Sequence, residues 1–187
     1  MNFLKTPVQS FRELKKNALV TDSLFVVGSI WIVLLGLQLS RLANHDALTT
    51  VLIVRSIAEI TFWIIAIWLT VSGLAYLLTQ SSGAKANFNA ILVMSGLAAI
   101  PLAFAGIIAI LVQLLALMSF APENAVFWAT RLLLVVALLL GTPGLYFALG
   151  LHAITGVRKS VAIVISVFLS IATILILLLQ GSEALQF

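Results

Sequence analysis

Five stretches of this chain run for about 20 residues or more with at most one charged side chain each. They are 22–40, 57–79, 89–118, 126–151 and 160–180. A helix that crosses a bilayer needs about 20 predominantly apolar residues, and each stretch supplies them. A soluble domain of this size has no interior large enough to hide so much apolar surface. The chain is 63% hydrophobic and 9% charged, against about half and about a quarter for ordinary globular domains. The same composition excludes a disordered chain. The expected fold class is all-α: a polytopic integral membrane bundle of five transmembrane helices, N-terminus inside and C-terminus outside, preceded by an interfacial amphipathic helix. Residues 1–21 are expected to form the cytoplasmic amphipathic segment and residues 22–187 the membrane domain.

The punctuation between the stretches supports this division. Arg41–Thr50 is polar and ends the first span. Val51–Ser56 reads as an interfacial lead-in to the second. Residues 80–87 form a polar loop, Pro122-Glu123-Asn124 a turn, and Gly156-Val157-Arg158-Lys159 a short basic loop. Two spans carry helix-disturbing residues. Pro101 predicts a kink in the third, because splitting that region there leaves a first piece too short to cross. Gly141-Thr142-Pro143-Gly144 predicts a kink in the fourth. Charge then sets the orientation. With the N-terminus inside, Lys5, Arg12, Lys15, Lys16, Lys85, Arg158 and Lys159 are cytoplasmic, and Arg41, Arg55 and Arg131 face the other side. That distribution obeys the positive-inside rule, and inverting the protein would reverse it. The excess of 10 Lys+Arg over 6 Asp+Glu therefore reports on topology, and nucleic acid is not an expected partner.

The N-terminal segment has its own pattern. Thr6, Pro7 and Gln9 make a helix start with a capping box. Val8, Phe11, Leu14 and Ala18 follow at three- and four-residue steps and share one face. Arg12, Lys15 and Lys16 are placed to meet anionic lipid at the membrane surface. No signal-peptide pattern is present.

Inside lipid the hydrophobic effect does not press helices together, so small residues and close packing must. Gly96, Ala98, Ala99, Ala103, Ala105, Gly106 and Ala109 crowd around Pro101. Ala137, Gly141, Gly144 and Ala148 form two small-xxx-small pairs, and Ala162, Ser166, Ser170 and Thr173 share one face of the last span. These are expected contact faces of a compact bundle.

Several segments together resemble a known family. Gly83-Ala84-Lys85-Ala86-Asn87-Phe88 resembles the glycine-and-lysine loop of the Yip family (the Ypt/Rab-interacting membrane proteins) and its bacterial relatives. Gly96 and Pro101, five apart, are similar to that family's Gly-Tyr-…-Pro segment, with Leu97 in place of the tyrosine. Ile154–Ser160 is similar to its short loop before the last span, and Thr6-Pro7 with Phe11 to the pre-membrane segment of bacterial members. The resemblance covers nearly the whole chain and implies a five-span fold. For eukaryotic members it implies binding of Rab GTPases and a role in Golgi and endoplasmic reticulum traffic. That role is not carried over here, because the Asp-Leu-Tyr-Gly-Pro segment is missing and about 20 residues ahead of the first span leave little surface for a GTPase. The prokaryotic branch and the inner cell membrane are expected, with Golgi or endoplasmic reticulum membrane the alternative for a eukaryotic chain.

Candidate chemistry is sparse. Glu59 is a carboxylate within an apolar helix, a functional candidate by default. Arg55 lies one turn earlier on the same face and can pair with it. Gly96, Pro101, Gly141, Pro143 and Gly144 are the expected kink and packing positions. Cysteine is absent, and His45 and His152 fall on opposite faces of the membrane, so no metal site, cofactor or catalytic residue is expected. Nucleophile-elbow, zincin, Walker and dinucleotide-binding motifs are all missing. The leading expectation is a non-enzymatic scaffold whose partners are membrane lipids, other membrane proteins or further copies of the chain. The alternative is a small transporter or channel component in which Glu59, Arg55 and the kinked helices form the pathway.

Overall fold

The computed structural model describes residues 11, 20–44, 49–117 and 123–184. Among them the regular structure is entirely helical: α1 Val20–Asn44, α2 Thr50–Ser81, α3 Phe88–Ala98, α4 Ile100–Leu117, α5 Glu123–Leu140, α6 Leu145–Thr155 and α7 Lys159–Ala184. Four runs are long and apolar enough to cross a membrane: Val20–Leu39, Thr50–Ser81, Phe88–Val112 and Trp128–Thr155. The third joins α3 to α4 and the fourth joins α5 to α6. A shorter apolar run, Lys159–Leu175, lies within α7.

Local chemistry sets the helix ends. Thr49 caps α2, its hydroxyl accepting from the Leu52 N–H at 3.4 Å. Asn87 caps α3 by accepting from the Asn89 N–H at 2.9 Å. Gly156 ends α6 in the left-handed region, at φ 74°, and its N–H donates to the His152 carbonyl at 3.0 Å. Only glycine takes that backbone conformation without a side-chain clash.

Several boundaries depart from the sequence expectation. α1 continues past Ser40 to Asn44, and α2 begins at Thr50, so residues 51–56 are an unbroken part of the helix and not a separate lead-in. α7 runs to Ala184, beyond the expected Gln180. The third span breaks at Ala99, two residues before the proline. Pro101 has no N–H to give Leu97 and its ring collides with that turn, so the helix stops ahead of it and restarts with proline in the first turn. The fourth span breaks where Gly141–Gly144 predicts, as a four-residue interruption. Both breaks lie near the middle of their spans.

The helices pack in two tiers. α3 is central and contacts α1, α2 and α6; α4 lies between α1 and α5; α7 packs on α6 and more lightly on α2. The larger core joins Val71 and Ala75 of α2, Ile91 and Met94 of α3, Phe147 and Leu151 of α6, and Ile165 and Leu169 of α7. The smaller core joins Val33 and Leu37 of α1 with Ala109 of α4, and Leu133 of α5 packs against it. Phe11 is fully buried in the larger core, with its ring beside Gly150. The rest of the N-terminal segment, with Arg12, Lys15 and Lys16, lies outside the described residues.

The small-residue faces do the work of close approach. Ala98, Ala99, Ala105, Ala109, Ala137, Ala148, Ala162, Ser166, Ser170 and Thr173 are all buried. At Gly96 an added Cβ would sit 2.6 Å from the Ser23 Cβ, so α1 and α3 meet there almost backbone to backbone. Gly28 has open space around it instead. Gly96→Ala is therefore expected to cost about 1–3 kcal/mol through overpacking, whereas Gly28→Ala should be neutral or slightly stabilising through helix propensity. Thermal unfolding of the two variants in detergent checks the contrast.

Candidate functional site

The two helix breaks abut each other. A Cβ on Gly141 would lie 2.9 Å from the Ala98 carbonyl oxygen and 3.5 Å from the Pro101 Cδ, so the α5–α6 break is pressed into the α3–α4 break. Broken helices inside a membrane leave carbonyls without donors, and no water is there to serve them. Neighbouring side chains supply the donors. Thr142 Oγ1 donates to the Ser95 carbonyl at 2.6 Å. Ser166, from α7, reaches the Pro143 carbonyl at 2.5 Å and the Gly144 carbonyl at 2.7 Å. A hydroxyl carries one proton, so it serves these two acceptors in turn.

On the α2 side, Trp68 Nε1 donates to Ser95 Oγ at 2.9 Å and approaches the Leu92 carbonyl at 3.2 Å. Ser72 Oγ and Ser95 Oγ are 2.6 Å apart. With Ser72 donating to Ser95, and Ser95 donating to the Leu92 carbonyl at 2.8 Å, every proton in this group has an acceptor. The result is a buried polar seam linking α2, α3, the α5–α6 break and α7. Every buried polar side chain among the described residues is a serine or threonine. Thr130 Oγ1 is the one buried side-chain polar atom among them without a partner. No group of His, Asp and Glu among the described residues could hold a metal ion.

The charged pair sits elsewhere. Arg55 Nε donates to Glu59 Oε1 at 2.6 Å, as the four-residue spacing predicts. The two side chains are 70% and 53% exposed, so the pair projects from the outer face of α2, away from the seam. Two residues beyond Glu59, the Trp31 indole donates to Thr61 Oγ1 at 2.8 Å, tying α1 to α2. His152 Nδ1 lies 2.7 Å from the Val157 carbonyl. A carbonyl only accepts, so Nδ1 carries the proton and the ring closes the end of α6. The side chain of Arg131 lies outside the described residues.

Of the predicted positions, Gly96, Pro101, Gly141, Pro143 and Gly144 are brought together around the two breaks, and Arg55 and Glu59 are paired outside them. Sequence reasoning missed Trp68, Ser72 and Ser95, whose signal was a serine recurring in otherwise apolar helices beside an indole that needs an acceptor.

Comparison with protein families matches the Yip1 domain over residues 1–180. No curated protein and no solved structure matches the chain. Families of this kind are multi-pass membrane proteins and generally non-enzymatic, and the long apolar helices agree with a multi-pass chain.

The seam is measurable. Ser166→Ala and Ser95→Ala are each expected to destabilise the fold by about 1 kcal/mol or more, because each leaves buried polar groups without partners. Ser29→Ala, which removes a bond only to the Phe25 carbonyl of its own helix, should be close to neutral. Equilibrium unfolding in mixed micelles compares the three.

Proposed function

Because the chain belongs to the Yip1 domain family, we propose that it is a non-enzymatic membrane scaffold, holding partner proteins of the membrane or its cytoplasmic surface in place. The observation that carries this reading is the closed interior. At the breaks, hydroxyls of the chain itself reach the Ser95, Pro143 and Gly144 carbonyls, and no ionisable side chain is buried among the described residues. A conduit needs groups that bind and release a solute along a path. A scaffold needs a rigid body with addressable outer surfaces.

On this reading the chain crosses the membrane five times, with α7 as the fifth span, the N-terminus in the cytoplasm and the C-terminus outside. The distribution of lysine and arginine supports that orientation. The basic residues Arg12, Lys15 and Lys16 then face the cytoplasmic leaflet, while Phe11 plugs into the core. Leu97 in place of the family's tyrosine and the missing Asp-Leu-Tyr-Gly-Pro segment favour the prokaryotic branch and the inner cell membrane, without Rab GTPases as partners.

The transporter alternative draws on the discontinuous helices, which some transporters use to bind ions. The Arg55–Glu59 pair points away from the breaks, so a pathway that used both would have to run between copies of the chain.

Purified protein in liposomes is expected to give no proton or solute flux above empty vesicles, and Glu59→Gln should change nothing. Cross-linking and affinity purification from native membranes is expected to recover a defined membrane or cytosolic partner. Flux that disappears in Glu59→Gln would overturn the scaffold in favour of transport.

A further inference from the structure

The outer face of α2 carries a second pattern that the scaffold reading does not use. Starting from the Arg55–Glu59 pair, Trp63, Ala66, Thr70 and Leu74 follow at steps of three and four residues, so they continue along the same side of the helix. These four residues, with Leu169, Ala172 and Thr173 of α7, line an open apolar groove of about 110 Å³. The groove exists because α2 and α7 face each other there through small side chains, Ala66 and Thr70 against Ala172 and Thr173. The Thr173 hydroxyl donates to the Leu169 carbonyl of its own helix at 2.8 Å, so it asks nothing of an occupant. We propose that this face is a binding site for one phospholipid with a phosphoethanolamine head group, held by Arg55 and Glu59, with an acyl chain lying in the groove.

Three observations select that occupant. The first is charge. An exposed arginine alone would attract any anionic head group, but here a guanidinium and a carboxylate stand side by side. A guanidinium carries five N–H donors, more than one carboxylate oxygen uses, and its fork matches a phosphate. The carboxylate offers lone pairs to a primary ammonium. Phosphoethanolamine presents a phosphate and a hydrogen-bonding ammonium together, whereas the trimethylammonium of choline has no N–H to give.

The second is depth. At 1.5 Å per residue, Trp63 lies about 6 Å below Glu59 and Leu74 about 22 Å below it. One leaflet of the hydrocarbon core is about 15 Å thick, so a chain descending from the pair runs along the groove. The third is size. An apolar cavity of about 150 Å³ accepts benzene, so this groove takes a short run of methylenes and not a folded solute. The site depends on the membrane-embedded fold alone and stands or falls separately from the scaffold reading.

The test uses the full chain in nanodiscs of equal phosphatidylethanolamine and phosphatidylcholine with matched acyl chains, followed by native mass spectrometry of retained lipid. The wild type is expected to retain phosphatidylethanolamine about tenfold over phosphatidylcholine, the ratio one charge-assisted hydrogen bond from the ammonium can supply, since the phosphate contact is common to both lipids. Glu59→Gln should bring the ratio close to one, Arg55→Gln should lower retention of both lipids because both carry the phosphate, and Ala172→Trp should remove both lipids by filling the groove. Should Ala172→Trp fail to fold, Glu59→Gln still decides the matter, since that side chain lies outside the packed core. Equal retention of the two lipids by the wild type would overturn the proposal. So would a loss of oligomer in Ala172→Trp with lipid retention unchanged, which would make a second copy of the chain the occupant.

Discussion

Hydrocarbon cannot hydrogen-bond a peptide group, and this one fact governs how the chain is arranged. A continuous helix satisfies its own backbone, but two of these spans are interrupted near their middles. Each interruption strands carbonyls that cost several kcal/mol if left alone in lipid, on the order of a whole domain's margin of stability. The fold answers by placing the two interruptions against each other and drawing hydroxyl donors from one of the breaks itself and from α7, with α2 holding the Ser95 side chain beside them. Thr142 serves Ser95, Ser166 serves Pro143 and Gly144, and Trp68 and Ser72 converge on Ser95. The small residues around the breaks are what allow the helices close enough for those bonds to form. Packing and polar satisfaction are therefore a single requirement here.

This arrangement separates an inside from an outside with different chemistries. Inside, hydroxyls and one indole hold the helices in fixed positions, with no titratable group among the described buried residues. Outside, the face of α2 carries an ion pair, an indole and an apolar groove in sequence. A body stapled in this way changes shape reluctantly, because interior polar groups that lose a partner have nowhere else to turn. Rigidity of this kind suits a protein that positions others. It suits poorly a protein that must open and close around a solute.

Much of the architecture was legible from sequence because the bilayer imposes a length and a polarity on every crossing. Four long apolar spans, the kink-forming Gly141–Gly144 segment, the buried small-residue faces and the Arg55–Glu59 pair all follow from local spacing. The misjudged details depended on tertiary context. Arg41–Thr50 reads as a polar interruption, yet α1 extends into it as far as Asn44. Pro101 marked a disturbance, but the helix ends at Ala99, because the missing N–H acts on the preceding turn. Phe11 reads as part of a lipid-facing stripe and instead fills the core. The seam was the least legible part. Ser95 and Trp68 are 27 positions apart and Thr142 is 47 from Ser95, and nothing in the local pattern of any one helix names such partners.

Amide hydrogen exchange of the protein in lipid nanodiscs tests the closed interior most directly, at the peptide groups within the breaks. Leu102 and Ala103 donate to the Ala99 carbonyl, Gly141 to Ala137, Phe147 to Gly141 and Ala148 to Gly144. If the breaks are dry and stapled, these amides exchange as slowly as those in the middle of unbroken α2. Exchange as fast as that of the Ser82–Asn87 loop would place water at the breaks and contradict the account.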